Sequence, residues 1–169
     1  MMALVLVLVS LIALEAGMPS PYYLDLPCPG QTFGGLQQAI GLGILVPYKE
    51  GIFDCSNMAS YLQWKLKSQG FDAKMCLSSQ FRDGERYGYH AWVAVDLGGK
   101  RYYLDPPEPA LLTIGPDDER YPNFNNPEQV YDNLSDLLLE HPYPKDWSWW
   151  DRLNFTAEVR NLGIWGGAR

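Results

Sequence analysis

Residues 89–106 read Tyr89-His90-Ala91-Trp92-Val93-Ala94-Val95-Asp96-Leu97-Gly98-Gly99-Lys100-Arg101-Tyr102-Tyr103-Leu104-Asp105-Pro106. Two runs rich in aromatic and β-branched residues flank a Gly-Gly pair, the pattern of an antiparallel hairpin with a two-residue turn. Such a turn needs positive φ, which glycine adopts without steric cost. With Gly98 and Gly99 as the turn, Trp92 faces Asp105 and Ala94 faces Tyr103. Facing residues share a side of the sheet, as do residues two apart on one strand. His90, Trp92 and Asp105 therefore lie on one face. Ala91, Val93, Val95, Tyr102 and Leu104 lie on the other, an apolar set that predicts packing on a helix or a second layer. His90 and Asp105 are diagonal neighbours, on the order of 5–8 Å apart at Cβ, a span that a carboxylate and an imidazole can bridge. Asp96 shares their face but lies about 20 Å along the strand.

Upstream, the clearest helix is predicted from Cys55 to Gln69. Asp54 is a suitable N-cap. Met58, Leu62 and Leu66 recur at i+4 with Ala59 beside them, giving one apolar stripe. Gly70 suits the position just past the helix end. Phe71, Ala73, Met75 and Leu77 then alternate with polar residues and Cys76, which predicts a half-buried strand. Ser78 to Gly88 reads as a polar loop. Before the helix, Pro19 to Gly35 reads as an exposed lead-in, and Gln37 to Ile40 as a short helical piece weakened by Gly41 and Gly43. After the hairpin, Pro106 to Pro144 is rich in proline, with one helix expected over Pro127 to Glu140 and Val130, Leu134, Leu137 and Leu138 on one side. His141 reads as a loop residue. The tail carries Trp147, Trp149, Trp150, Phe155 and Trp165, read as core or as ligand surface.

The chain has 169 residues, of which 47% are hydrophobic and 20% charged, so it can build one domain with a real core. The net charge is −7, with 13 unclustered Lys and Arg, which argues against a nucleic-acid partner because phosphate neutralisation needs a basic surface. Residues 1–18 contain an uncharged apolar run too short for a membrane span, which needs about 20 residues. They read as a signal peptide or an N-terminal anchor, with a buried first element as the other reading. The single domain is then 19–169, with an extracytoplasmic location expected and membrane contact only through that anchor. Of the three cysteines, Cys28 and Cys76 are either bridged or free, and Cys76 also reads as a small buried hydrophobe.

Cys55, His90 and Asp105 together carry the chemical signal. At a helix N-terminus the first-turn amides and the macrodipole favour an anion, and a thiolate is the reactive form of a cysteine. An imidazole oriented by a carboxylate is the base such a nucleophile uses. Trp92, on the same face, reads as a substrate-binding residue or as core packing. Two His and three scattered Cys show no metal-ligand spacing, so neither metal nor cofactor is expected. The Cys55 amide is one candidate oxyanion donor, and Gln37, Gln38 and Tyr48 are others.

At these residues the chain resembles the transglutaminase-like superfamily, a branch of the papain-like cysteine enzymes. The resemblance covers about Phe53 to Pro107. It rests on Asp54-Cys55-Ser56-Asn57-Met58-Ala59 opening a helix, Gly70-Phe71 leading to a strand, His90-Ala91-Trp92-Val93-Ala94-Val95, and Tyr103-Leu104-Asp105-Pro106. It implies an α+β fold in which the cysteine helix packs on an antiparallel sheet. It also implies Cys55 as nucleophile, His90 as base and acid, and Asp105 as orienter of the imidazole. Many members have Gly just before the nucleophile segment, whereas this chain has Phe53-Asp54. The short chain without a calcium loop is closer to small prokaryotic members than to large calcium-dependent cross-linkers. The implied activity is acyl transfer on a protein, peptide or cell-envelope amide. Hydrolysis, as in a protease or amidase, is favoured, and cross-linking is the variant. The alternative is a catalytically inactive binding or scaffold module of the same fold at the cell surface.

Overall fold

The computed structural model describes residues 17–18, 21–41, 44, 48–106 and 111–150. The expected leader lies almost wholly outside them, as do Phe155 and Trp165. The elements in chain order are α1 (Phe33–Ile40), α2 (Cys55–Ser68), β1 (Ala73–Asp83), β2 (Arg86–Leu97), β3 (Lys100–Asp105), β4 (Leu112–Ile114), α3 (Tyr121–Phe124), β5 (Gln129–Tyr131), α4 (Leu134–Glu140) and α5 (Pro144–Trp147). The strands form one antiparallel sheet in the order β4-β3-β2-β1-β5. The class is α+β, with the cysteine-bearing helix against an antiparallel sheet. Among the described residues no helix is long and apolar enough to cross a membrane.

The β2–β3 hairpin has the register that the Gly98-Gly99 turn dictates: Val93 pairs with Leu104, Ala94 with Tyr103 and Leu97 with Lys100. Its two faces enter two cores. Ala91, Val93, Val95 and Leu104 pack in the larger one with Met58, Ala59, Leu62 and Leu66 of α2. Trp92, Ala94 and Tyr103 form the smaller one with Cys76, Phe81, Ile114 and Phe124. The short helix α3 supplies Phe124 as part of the lid over that second face.

Ser78 to Gly88 is not a loop. The strands run on to a tight turn at Gly84-Glu85, where Gly84 has φ +61°. A bulge interrupts them: Ser78 pairs with His90 and Phe81 with Gly88, so Ser79 and Gln80 together oppose Tyr89. One extra residue inverts the sidedness of everything beyond it. Phe81 and Asp83 consequently share the face of Gly88, Arg86 and His90. The polar composition of this stretch hid the strands.

Helix α2 carries more than an apolar stripe. Asn57, Ser60 and Gln63 are buried too, at 1%, 0% and 0% exposure. Their side chains hold flanking segments against the helix. Asn57 Nδ2 donates to the carbonyls of Lys145 and Ser148 at 3.2 and 3.3 Å. Ser60 Oγ donates to the carbonyl of Trp147. Gln63 Nε2 donates to the carbonyl of Asp132 at 2.8 Å and accepts at Oε1 from the Tyr23 hydroxyl. Trp149 packs on Tyr61 and Trp64, and its Nε1 donates to the Tyr22 hydroxyl at 2.8 Å. Trp147, Trp149 and Trp150 are thus core residues. At the other end of α2, Gly70 has φ +82°, its N–H donates to Lys67 O and that of Phe71 to Leu66 O, closing the helix as expected.

Two boundaries differ from expectation. The first part of the stretch read as a helix over Pro127 to Glu140 is strand β5, which pairs with β1 through Met75↔Tyr131 and Leu77↔Gln129. Only Leu134 to Glu140 is helical, because edge pairing to β1 satisfies the backbone of Gln129 to Tyr131 better than an isolated first turn could. Helix α1 starts at Phe33, inside the supposed lead-in, because Thr32 caps it by accepting from the Gly35 N–H at 3.0 Å. A Cβ on Gly35 would stand 2.0 Å from the carbonyl oxygen of Gly30, whereas one on Gly34 meets only Thr32 Oγ1 at 4.0 Å. Gly35→Ala is therefore expected to lower stability in urea by about 2 kcal/mol through overpacking. Gly34→Ala should leave it unchanged or raise it by up to about 1 kcal/mol. Equal effects of the two substitutions would contradict this packing.

Candidate active site

Cys55 is the first residue of α2 and is half-buried. Its position is set by a reciprocal cap. Asp54 Oδ1 accepts from the Ser56 N–H at 3.1 Å, and Asn57 Oδ1 accepts from the Asp54 N–H at 3.2 Å. Asp54 Oδ2 also accepts from the Gly51 N–H at 3.2 Å, which ties the preceding turn to the same carboxylate. The Asn57 amide is fixed in turn by the carbonyls around α5, so the helix start is braced from the far end of the described chain.

His90 and Asp105 meet as the hairpin register requires. His90 Nε2–H donates to Asp105 Oδ1 at 2.8 Å, and both residues are buried, at 7% and 0% exposure. That leaves Nδ1 as the ring nitrogen for Cys55, whose side chain hydrogen-bonds the imidazole. Burial alone would make His90 harder to protonate. The hydrogen bond to Asp105, then the one to Cys55, more than offset this and raise its pKa from 6.5 to about 9. Asp96 is engaged elsewhere, paired to both Nε and Nη2 of Arg101 at 2.8 Å. Cys55, His90 and Asp105 are thus brought together.

A fourth residue, Arg86, completes the arrangement. Its Nη1 donates to Asp105 Oδ2 at 2.9 Å and its Nη2 to Asp83 Oδ2 at 2.5 Å. A fully buried carboxylate needs partners on both oxygens, and Asp105 has His90 on one and Arg86 on the other. The signal for Arg86 was present in the chain: Gly84-Glu85 is a Gly-X pair suited to a two-residue hairpin turn, and a strand beginning at Arg86 places it four residues from His90, on the same face. Tyr89 is a second addition. On the opposite face of β2 from His90, its hydroxyl reaches the Ser56 side chain next to Cys55. Consecutive residues of the strand therefore grip consecutive residues of the helix.

Trp92 does not reach the reacting atoms. It is fully buried and stacks behind the imidazole, with ring centroids 5.8 Å apart and planes at 20°. Phe81 packs on the same ring at 4.5 Å. Of the two readings of Trp92, this placement is core packing, with the ring in the smaller core against His90. The open cavity beside the site has a volume of about 670 Å³, and Tyr48, Cys55, Arg86, Tyr89, His90 and Leu112 are on its wall. Of the side chains considered as oxyanion donors, Tyr48 lines it, while Gln37 and Gln38 sit exposed on α1 and do not. Cys28 and Cys76 are both free rather than bridged, and burial pushes the Cys76 thiol up to about 12. His141 ends α4 with Nε2 at 3.1 Å from Gln129 Oε1. Among the described residues no group of three or more His, Cys, Asp or Glu is arranged to hold a metal ion.

Comparison with protein-family models, curated proteins and solved structures gives no match.

Because His90 holds its proton more tightly folded than unfolded, its contribution to stability is whole below about pH 6.5 and is lost as pH rises through about 9. The stability gap between wild type and His90→Ala, measured by urea unfolding at pH 6 and pH 10, is expected to shrink by on the order of 3 kcal/mol. A gap independent of pH would mean that the imidazole is not held as the cation.

Proposed function

We propose that this protein is a cysteine-dependent acyl-transfer enzyme of the transglutaminase-like, papain-like type, acting on amide bonds and most simply hydrolysing them. One observation carries the reading: a thiol at a helix N-terminus hydrogen-bonds an imidazole whose other nitrogen is fixed by a buried carboxylate. A protein that only packs or binds has no need of a buried carboxylate spent on one ring nitrogen while the other faces a half-exposed thiol. Trp92 and Phe81 hold the ring in place, and Arg86 holds the carboxylate.

The chemistry follows from these groups. With the proton of the pair on the imidazole, Cys55 Sγ attacks the amide carbonyl carbon, and the carbonyl π electrons move onto oxygen. The Cys55 amide at the helix start and Tyr48 on the cavity wall are the candidate donors for that charge. Collapse of the tetrahedral adduct breaks the C–N bond as His90 gives its proton to the leaving nitrogen, leaving a thioester. Water attacks the thioester as His90 removes its proton, the C–S bond breaks, and acid and thiol result. An amine in place of water gives a new amide, the cross-linking variant. Asp105 keeps Nε2–H bonded throughout and so keeps Nδ1 turned to the sulfur. With the apolar run of residues 1–18 read as an export leader, the substrate is a protein, peptide or cell-envelope amide outside the cytoplasm.

Iodoacetamide labelling of Cys55, followed by peptide mapping across pH, tests the pair. At pH 7 the wild-type rate is expected to exceed that of free cysteine by about tenfold or more, and His90→Ala should remove the excess. Cys55→Ala should lower amide hydrolysis by about 10³-fold or more. Labelling no faster than a model thiol in both proteins would refute an activated nucleophile and leave a binding module of the same fold.

A further inference from the structure

The six consecutive residues Glu85 to His90 all line the cavity beside Cys55. Side chains of a strand alternate between faces, so a cavity above one face would meet only every second residue. One that meets all of them runs along the strand's edge. Among the described residues, the pairing leaves that edge without a neighbouring strand. β3 accompanies β2 only from Leu97↔Lys100 to Val93↔Leu104, and β4 pairs with β3 on its other side. Leu112 of β4, which pairs with Asp105, stands on the cavity wall at the point where β3 stops.

The backbone polarity of the free stretch can be read from the paired one. Asp96 N–H donates to the carbonyl of Asp72, on the β1 side. N–H and C=O directions alternate along a strand, so even-numbered residues of β2 address β1 and odd-numbered ones address β3. Val93, Val95 and Leu97 find partners there. For Tyr87 and Tyr89, both exposed and on the cavity wall, no strand pairing among the described residues takes up the groups on that side, whereas Ala91 is already fully buried. An unpaired edge is a template for another strand.

From this we infer that the substrate is an extended polypeptide, docked as an added strand on the edge of β2 with its main-chain amides bonded to Tyr87 and Tyr89. The inference rests on the acyl-transfer reading of Cys55 and gives that reading a substrate class: main chain in extended form rather than a small or branched amide. The free stretch ends beside His90, so a strand seated on it delivers its next peptide unit to the thiol. The exposed rings of Tyr87 and Tyr89, at 81% and 52%, flank that path on one side and Arg86 on the other.

The test uses an alanine–serine pentapeptide carrying a chloroacetyl group at its N-terminus, and the isomer carrying it at the C-terminus, with chloroacetamide as reference. Cys55 Sγ displaces chloride to form a thioether, and peptide mapping separates this from labelling at the exposed Cys28. One isomer is expected to label Cys55 at least about tenfold faster than chloroacetamide. Methylating its amide nitrogens one at a time should abolish the gain at every second position and spare it between. A gain that ignores the position of the methyl group, or no gain at all while chloroacetamide labelling still depends on His90, overturns the docked strand alone. Chloroacetamide labelling unchanged in His90→Ala overturns the acyl-transfer reading, and the docked strand falls with it.

Discussion

A carboxylate with no exposure to water sits at the end of β3, and the local structure is arranged to make that tolerable. Removing an ionised Asp from solvent costs several kcal/mol unless its oxygens are bonded to cations or donors. Asp105 meets the requirement with His90 on Oδ1 and Arg86 on Oδ2. Both partners come from β2, four residues apart and on one face, so the carboxylate clamps the long strand at two points. Arg86 is itself held by Asp83 from β1. That last contact depends on the bulge at Ser79-Gln80: without the extra residue Asp83 would project from the other face of the sheet. A backbone irregularity ten and eleven residues before His90 along the hairpin thus secures the group that orients its imidazole.

Holding the carboxylate and imidazole rigid would achieve little if the thiol drifted. Cys55 belongs to α2, which is enclosed on nearly every side. An amphipathic surface helix presents polar residues to water, whereas here Asn57, Ser60 and Gln63 are turned inward and bonded to the backbone of residues 131–148. The helix is located by directional bonds as well as by apolar packing, which sets its rotation and its translation along the sheet. Asn57 joins the two kinds of restraint, since one side chain completes the cap at Cys55 and anchors the strap around α5.

What was legible in the chain followed from short-range rules. A two-residue Gly-Gly turn leaves one register, and that register put His90 beside Asp105 and sent Asp96 away. The cap at Asp54 and the stop at Gly70 bounded α2 to within a residue. What was not legible depended on partners distant in sequence. The apolar stripe of α2 said nothing of its buried polar residues, because the segments that cover them lie about 70 to 90 positions later. Val130 fitted a helical stripe with Leu134 and Leu137, and only the open edge of β1 makes it a strand residue. Trp92 shared the face of His90, but the face is closed by Phe81 and Phe124, so its ring is a backing for the imidazole. Phe81 in turn reaches that face only through the bulge, which no periodicity announces.

The meeting of Cys55 with His90 was the gap that register alone left open, because α2 covers the face of Ala91 and Val93 while His90 projects from the other. The sheet resolves it by stopping. Opposite His90 the β2–β3 ladder has already ended, so the thiol and the imidazole approach one another past a stretch of strand with no β3 pairing. Tyr89 makes the approach reproducible. It lies on the helix face, bonded to Ser56, while its neighbour His90 bonds Cys55 from beyond the edge. Two adjacent strand residues, pointing to opposite sides, hold two adjacent helix residues. The same missing strand that permits the contact also leaves room beside it, so the reactive pair and the opening through which it is reached have one structural origin.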